Sequence, residues 1–206
     1  MRIGILGTGT LALALGRRWA EAGHDLVVGG RSAPRATAVA QRLGGRAGTF
    51  LAAATERDAV LLAVPWSAVE DVLSQAEAQQ RTLAETTVID PANALDDTGA
   101  LWIAPAASHA ERVATLAPGA HVVKAFHLWP ARRWNEHEDA GDTVVICGDE
   151  PGLPVVSALV RDAGATPAVL GPLSRARQLE ETAGFALGLA LAGTEPRSAL
   201  PAVGAR

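Results

Sequence analysis

Short apolar runs alternate with amphipathic stretches along most of this chain. Ile3-Gly4-Ile5-Leu6 predicts a buried strand, and a helical run then extends to Gly23. A second strand is expected around Leu26-Val27-Val28. Residues 33–43 predict a helix, with Pro34 near its start and Gly44-Gly45 closing it. Residues 46–50 suit a short strand. Residues 59–64 form a continuous apolar run ended by Pro65, the pattern of a strand buried on both faces. Ser67 is expected to cap a helix to about residue 80, and residues 87–89 form the next strand, stopped by Asp90-Pro91. The second half repeats the alternation: helix 108–117, strands 121–126 and 143–147, helix 155–163, strand 168–170 and a long apolar helix 174–192. Residues 128–142 read as a loop, and 193–206 as a loose tail.

The segment between the first strand and helix carries the sharpest motif, Gly7-Thr8-Gly9-Thr10-Leu11-Ala12. This is a G-x-G-x-x-A dinucleotide fingerprint in the strand–turn–helix context it requires. Gly7 suits the tight turn, Gly9 lets backbone approach a pyrophosphate, and Ala12 keeps the helix close to the sheet; the helix N-terminus supplies free N–H groups that favour phosphate. An NAD site would place an acid at the end of the second strand; here Arg31 stands, followed by Ser32 and Arg35. That cluster suits a 2′-phosphate and points to NADP(H) over NAD(H). The fold expected is α/β: a Rossmann-type, doubly wound, mostly parallel sheet with a small α/β C-terminal extension. Residues 1–126 would form the NADP-binding domain and 127–192 an acceptor-site and dimerisation segment.

Composition narrows the class. A net charge of −4 gives no case for nucleic acid. No apolar run is long enough for a membrane span, and a core strand at the very start argues against a signal peptide, so a cytoplasmic location is expected. The single Cys147 excludes an internal disulfide and a cysteine-built metal site, and the five histidines, His137 among them, show no metal-ligand spacing. The apolar helix near the C-terminus is hydrophobic nearly all round, which predicts burial on more than one side and hence a homodimer.

In such sheets, ligands sit beyond the carboxyl ends of the strands. Val64-Pro65-Trp66-Ser67, Asp90 to Leu95 and Phe126 to Pro130 occupy those places. His127 is the foremost candidate for contact with substrate, and Asn93 is the amide best placed beside it. Asp90 reads as a residue that fixes its loop, and Lys124 as a strand lysine whose stem packs while its ammonium reaches an edge.

The fingerprint, Gly29-Gly30-Arg31-Ser32, Ala63-Val64-Pro65, Val122 to His127, Cys147-Gly148-Asp149 and Gly171 to Arg177 together resemble, in order, the coenzyme F420-dependent NADP oxidoreductase family. The resemblance implies hydride transfer between NADP(H) and the deazaflavin coenzyme F420. It assigns the pyrophosphate to Thr8 to Ala12, the 2′-phosphate to Arg31, Ser32 and Arg35, and the nicotinamide flanks to Val64 and Pro65. His127, Pro130 and the Leu173-Ser174 turn would border the deazaflavin, with Arg132, Arg133, Arg175 and Arg177 available for its anionic tail. Leu128-Trp129 is bulkier than the family pattern, and the short closing segment of the family is not recognisable. Two other readings stand beside this one: an NADPH-dependent reductase of a small imine, carbonyl or alkene, and a non-catalytic NADPH sensor.

Overall fold

The structure, a computed structural model, describes residues 1–101, 107–135 and 142–199. His137 and the last seven residues of the tail lie outside them. Eight strands form one sheet in the order β3-β2-β1-β4-β5-β6-β7-β8. They are β1 (Arg2–Leu6), β2 (Asp25–Gly29), β3 (Arg46–Gly48), β4 (Ala59–Leu62), β5 (Thr87–Asp90), β6 (His121–Lys124), β7 (Thr143–Gly148) and β8 (Thr166–Gly171). The first six are mutually parallel; β7 runs antiparallel to β6, through Val123–Gly148 and Lys124–Cys147, and β8 runs parallel to β7. The fold is the expected doubly wound one, with β7, β8 and the two helices that follow β7 as its extension.

Helices cover both faces. On one, α1 (Thr10–Glu21), α2 (Ala33–Leu43) and α6 (Gly152–Asp162) bury Leu15, Trp19, Val39, Leu43, Val156 and Leu159 against Ile3, Ile5, Val28 and Leu61. On the other, α3 (Phe50–Ala54), α4 (Val69–Gln75), α5 (His109–Leu116) and α7 (Ala176–Leu191) close over Leu6, Val60, Leu62, Val88 and Val122. Burial of apolar surface on both faces explains why the central strands read as unbroken apolar runs.

Several local differences from the sequence reading have physical causes. The strand expected over 46–50 stops at Gly48, because the Thr49 hydroxyl accepts the Ala52 N–H and starts α3. That short helix lies so close to β1 that a side chain on Gly4 would put Cβ 1.9 Å from the Ala53 carbonyl oxygen. Ser67 caps no helix; it sits inside a 3-10 turn, Trp66–Ala68, that begins at Pro65 and leads into α4. The run 121–126 leaves the sheet after Lys124, and Phe126 adopts a left-handed backbone with φ of 63°. A bulky residue there costs about 1 kcal/mol or more. Its ring is held on the α1 face between Trp19 and Trp134, at 6.0 and 5.4 Å, both edge to face. The loop 128–142 contains a further 3-10 turn, Ala131–Asn135, fixed by Arg18 Nε donating to the Trp134 carbonyl.

Candidate functional site

Beyond the carboxyl ends of β1, β2, β4, β5 and β6 lie the glycine fingerprint, Arg31 to Arg35, Val64 to Trp66, Asp90 to Asn93 and His127, whereas the Leu173-Ser174 turn follows β8, which runs antiparallel to those strands. After β1, Gly7 turns with φ of 134°, a region closed to side chains, and its N–H donates to the Gly29 carbonyl at 2.9 Å. A Cβ at Gly7 would lie 2.1 Å from the Ala63 carbonyl oxygen, so this glycine is required by its own fold. Gly9 differs: it is extended (φ −84°, ψ −173°), and a Cβ there would meet nothing within 4 Å. It precedes α1, whose first turn has no side-chain cap and no acid. The open space at Gly9 and the uncapped helix start form a cradle into which backbone N–H groups can receive an anion. Thr8 is half-buried and Thr10 exposed, Leu11 is partly buried, and Ala12 is fully buried against the sheet.

At the end of β2, Arg31 and Arg35 are exposed. The Ser32 hydroxyl accepts the Arg35 N–H at 3.4 Å and caps α2, which leaves its own O–H free to donate. Val64 and Trp66 are half-buried after β4, with Pro65 exposed between them. Trp66 also lines a cleft of about 270 Å³ between α4 and α5, with Ser67, Ala94, His109 and Arg112. The residues therefore fit an anionic dinucleotide: a glycine turn with room for a phosphate beside Gly9, and two arginines without an acid at the second strand's end.

The ends of β5 and β6 are braced against each other. Asn93 donates through Nδ2 to the His127 carbonyl at 2.8 Å. Lys124 Nζ reaches Asp90 Oδ2 at 3.0 Å and Glu180 Oε1 at 2.9 Å, and also donates to the Ala92 carbonyl. Asp90 in turn accepts the Ala92 N–H at 3.0 Å and bonds His109 Nδ1 at 3.0 Å. Burial by itself would raise the Asp90 carboxyl, but Lys124 and His109 hold it well below the usual carboxylate range. The sequence reading of Lys124 is corrected here. Its ammonium reaches no edge: it is completely buried, and its three protons have three acceptors. That leaves it no capacity for acid–base or covalent chemistry.

His127 is the contrast. It is 7% exposed, and neither ring nitrogen has a hydrogen-bond partner; nor does Asn93 Oδ1. Burial, aided by the nearby Lys124 charge, pushes the imidazole down to about 3, so at neutral pH it carries one N–H and one bare nitrogen. Buried polar atoms left unpaired cost stability, and they persist where a ligand completes them. His127 and Asn93 are thus brought together by the fold, with Asp90 and Lys124 as their support.

The extension supplies a second wall. A pocket of about 780 Å³ is bounded by Leu128, Trp129 and Pro130 on one side and by Thr182, Ala186 and Ala190 of α7 on the other. The Trp129 indole donates to the Thr143 carbonyl at 3.2 Å, and Arg197 lies over its ring at 5.5 Å. Arg133 is paired with Asp142 and Arg177 with Glu181, whereas Arg132 and Arg175 are exposed. Glu180 and His109 escaped the sequence reading. A hint existed in Glu180, an acid on the side of α7 that carries Ala176 and Ala183, but its partner Lys124 is distant in sequence.

The chain is similar to several known proteins. Residues 2–94 match the family described as NADP oxidoreductase, coenzyme F420-dependent. Metalloreductase STEAP3 of Rattus norvegicus is 30% identical over 182 residues, 87% of this chain, but the chain spans only 36% of that protein's length. A proposed F420-dependent NADP-reductase of Arthrobacter sp. FB24 superposes with a TM-score of 0.79 at 25% identity, covering 95% of this chain and 96% of the other. A reductive aminase of Aspergillus terreus, solved with NADPH4, cyclohexanone and allyl amine, shares the fold at 19% identity and a TM-score of 0.70, covering 93% of this chain and 62% of its own. Residues 2–94 are thus similar to the NADP oxidoreductase, coenzyme F420-dependent family, a likeness that extends over a little less than half of the chain.

Proposed function

We propose that the chain passes a hydride between NADP(H) and the deazaflavin coenzyme F420. The observation that carries the reading is the unpartnered pair at the strand ends, Asn93 Oδ1 and the neutral His127 ring, on the same edge of the sheet as the open Gly9 turn. Thr8 to Ala12 would hold the pyrophosphate, Arg31, Ser32 and Arg35 the 2′-phosphate, and Val64, Pro65 and Trp66 the nicotinamide flank. NADPH, when bound, supplies the hydride. The protein's work is to align two rings and exclude water, which needs no strong acid or base. His127 can donate one hydrogen bond and accept another without becoming charged, and Asn93 can accept one more. Arg132 and Arg175 are the exposed cations available to an anionic acceptor tail.

A second reading, reduction of a small imine, carbonyl or alkene, draws on the pocket walled by Leu128 and Trp129 and covered by Arg197. Absorbance assays with NADPH and F420, and separately with a cyclic imine, test the two. Loss of the deazaflavin band supports the first; oxidation of NADPH with the imine alone supports the second. Binding of NADPH with neither turnover supports a sensor.

The same reading includes a homodimer. Phe185, Leu187 and Leu191 of α7 and Val169 and Leu170 of the edge strand β8 are exposed apolar residues. A second copy packed against α7 and the β8 edge is proposed to cover them. Among the described residues no helix is long and apolar enough to cross a membrane.

A further inference from the structure

We infer that Glu180 is a positioning residue for the hydride-transfer site, acting from the far helix α7 through Lys124 on the Asn93–His127 pair. The inference rests on the function proposed above. Glu180 is completely buried, and both of its oxygens are engaged. Oε1 meets Lys124 Nζ at 2.9 Å and the Ala110 N–H at 3.3 Å, and Oε2 accepts the His109 N–H at 2.9 Å. The carboxylate thus caps the buried N–H groups that open α5, where the helix dipole favours a negative charge. It also provides one of the three acceptors that aim the Lys124 ammonium.

The remaining two acceptors lie on the loop after β5: Asp90 Oδ2 and the Ala92 carbonyl. Asn93, the next residue, holds the His127 carbonyl. A continuous chain of polar contacts therefore runs from α7 to the backbone of both loops that carry the unpartnered polar atoms. Low dielectric makes each link strong and each missing link costly. Only a carboxylate satisfies position 180. In Glu180→Gln either orientation of the amide turns an N–H₂ group toward a donor, the Lys124 ammonium or the α5 N–H groups. Lys124 would then be released from one side, and the loop 90–93 would lose its fixed register against 124–127.

The experiment uses the full chain as E180Q and E180D, with NADPH affinity, amide hydrogen exchange by mass spectrometry and single-turnover hydride transfer to F420 as readouts. Expected for E180Q is an NADPH Kd within twofold of wild type, amide exchange faster by tenfold or more in segments 90–95 and 124–129, and transfer slowed by tenfold or more. E180D, which keeps the charge, should recover part of both losses. Should the unaltered chain fail to reduce F420, the exchange arm still decides, so the fate of the acceptor reading and of this inference remain separate. Should E180Q fail to fold, K124M/E180L, which removes opposite charges together, is read in the same way and should show the same loosened loops. Unchanged exchange in both segments of a folded variant would overturn the inference, as would a loss of NADPH affinity as large as the loss of transfer rate.

Discussion

Two glycines two residues apart should respond to alanine in opposite ways. Gly7 is pressed on β4 and lies at φ of 134°; the added Cβ would be 2.1 Å from one carbonyl oxygen and 2.6 Å from its carbon, both backbone atoms. The turn would have to move by about 1 Å, and the backbone conformation alone costs about 1–3 kcal/mol. A destabilisation of about 3 kcal/mol follows, which lowers Tm by about 6–12 °C at the usual sensitivity for a domain of this size. Gly9→Ala meets no atom and keeps an allowed backbone, so its stability should stay within about 1 kcal/mol, the small loss of a worse helix cap being offset by a stiffer unfolded chain. Its effect belongs to the ligand. A methyl group in the cradle displaces the pyrophosphate from at least one charge-assisted hydrogen bond, about 1.5–3 kcal/mol, or tenfold to a hundredfold in Kd. Thermal unfolding and NADPH titration of both variants decide the matter. If Gly9→Ala binds NADPH as wild type does, the turn is not the phosphate cradle, whatever its sequence resembles.

Replacing Arg31 with Ala should weaken NADPH at least tenfold and leave NADH nearly unchanged in parallel fluorescence titrations; equal losses would move the 2′-phosphate elsewhere. His127 is held near 3 in the folded chain against about 6.5 when unfolded. Because the unfolded state binds the extra proton, stability should be full above pH 6.5 and decline as pH falls toward 3, by up to about 1.4 kcal/mol per unit. Urea unfolding across that range should show the decline flattened in His127→Asn, and an equal slope would deny the burial of a neutral ring. Phe185→Glu combined with Leu191→Glu should convert a dimer to a monomer in light-scattering chromatography; a wild-type chain already monomeric at micromolar concentration removes the dimer.

What the sequence discloses here follows from how local the cause is. Strands β1, β4, β5 and β6 are legible because both faces are buried, and the fingerprint is legible because turn, strand and helix are contiguous. The ends of elements are not: β6 stops at Lys124 because Phe126 is drawn between Trp134 and Trp19, the latter far from it in sequence. Likewise α3 depends on the absence of a side chain at Gly4, more than forty residues earlier. At the site, His127 and Asn93 could be placed from their positions after strands. The role of Lys124 could not, since its partners Asp90 and Glu180 come from β5 and α7 and only the folded sheet brings them together.

Lys124 is the only lysine in the 206-residue sequence, and its ammonium is sealed from solvent. Within these 206 residues the fold thus offers no lysine amine to an acylating reagent. Cross-linkers and dyes directed at lysine will leave the folded sequence unmodified. The same reagents become a clock for opening: acylation at Lys124 can occur only while the core around it is exposed. A timed succinimidyl-ester pulse, read by mass at that one residue, would therefore count excursions from the native state without any engineered probe.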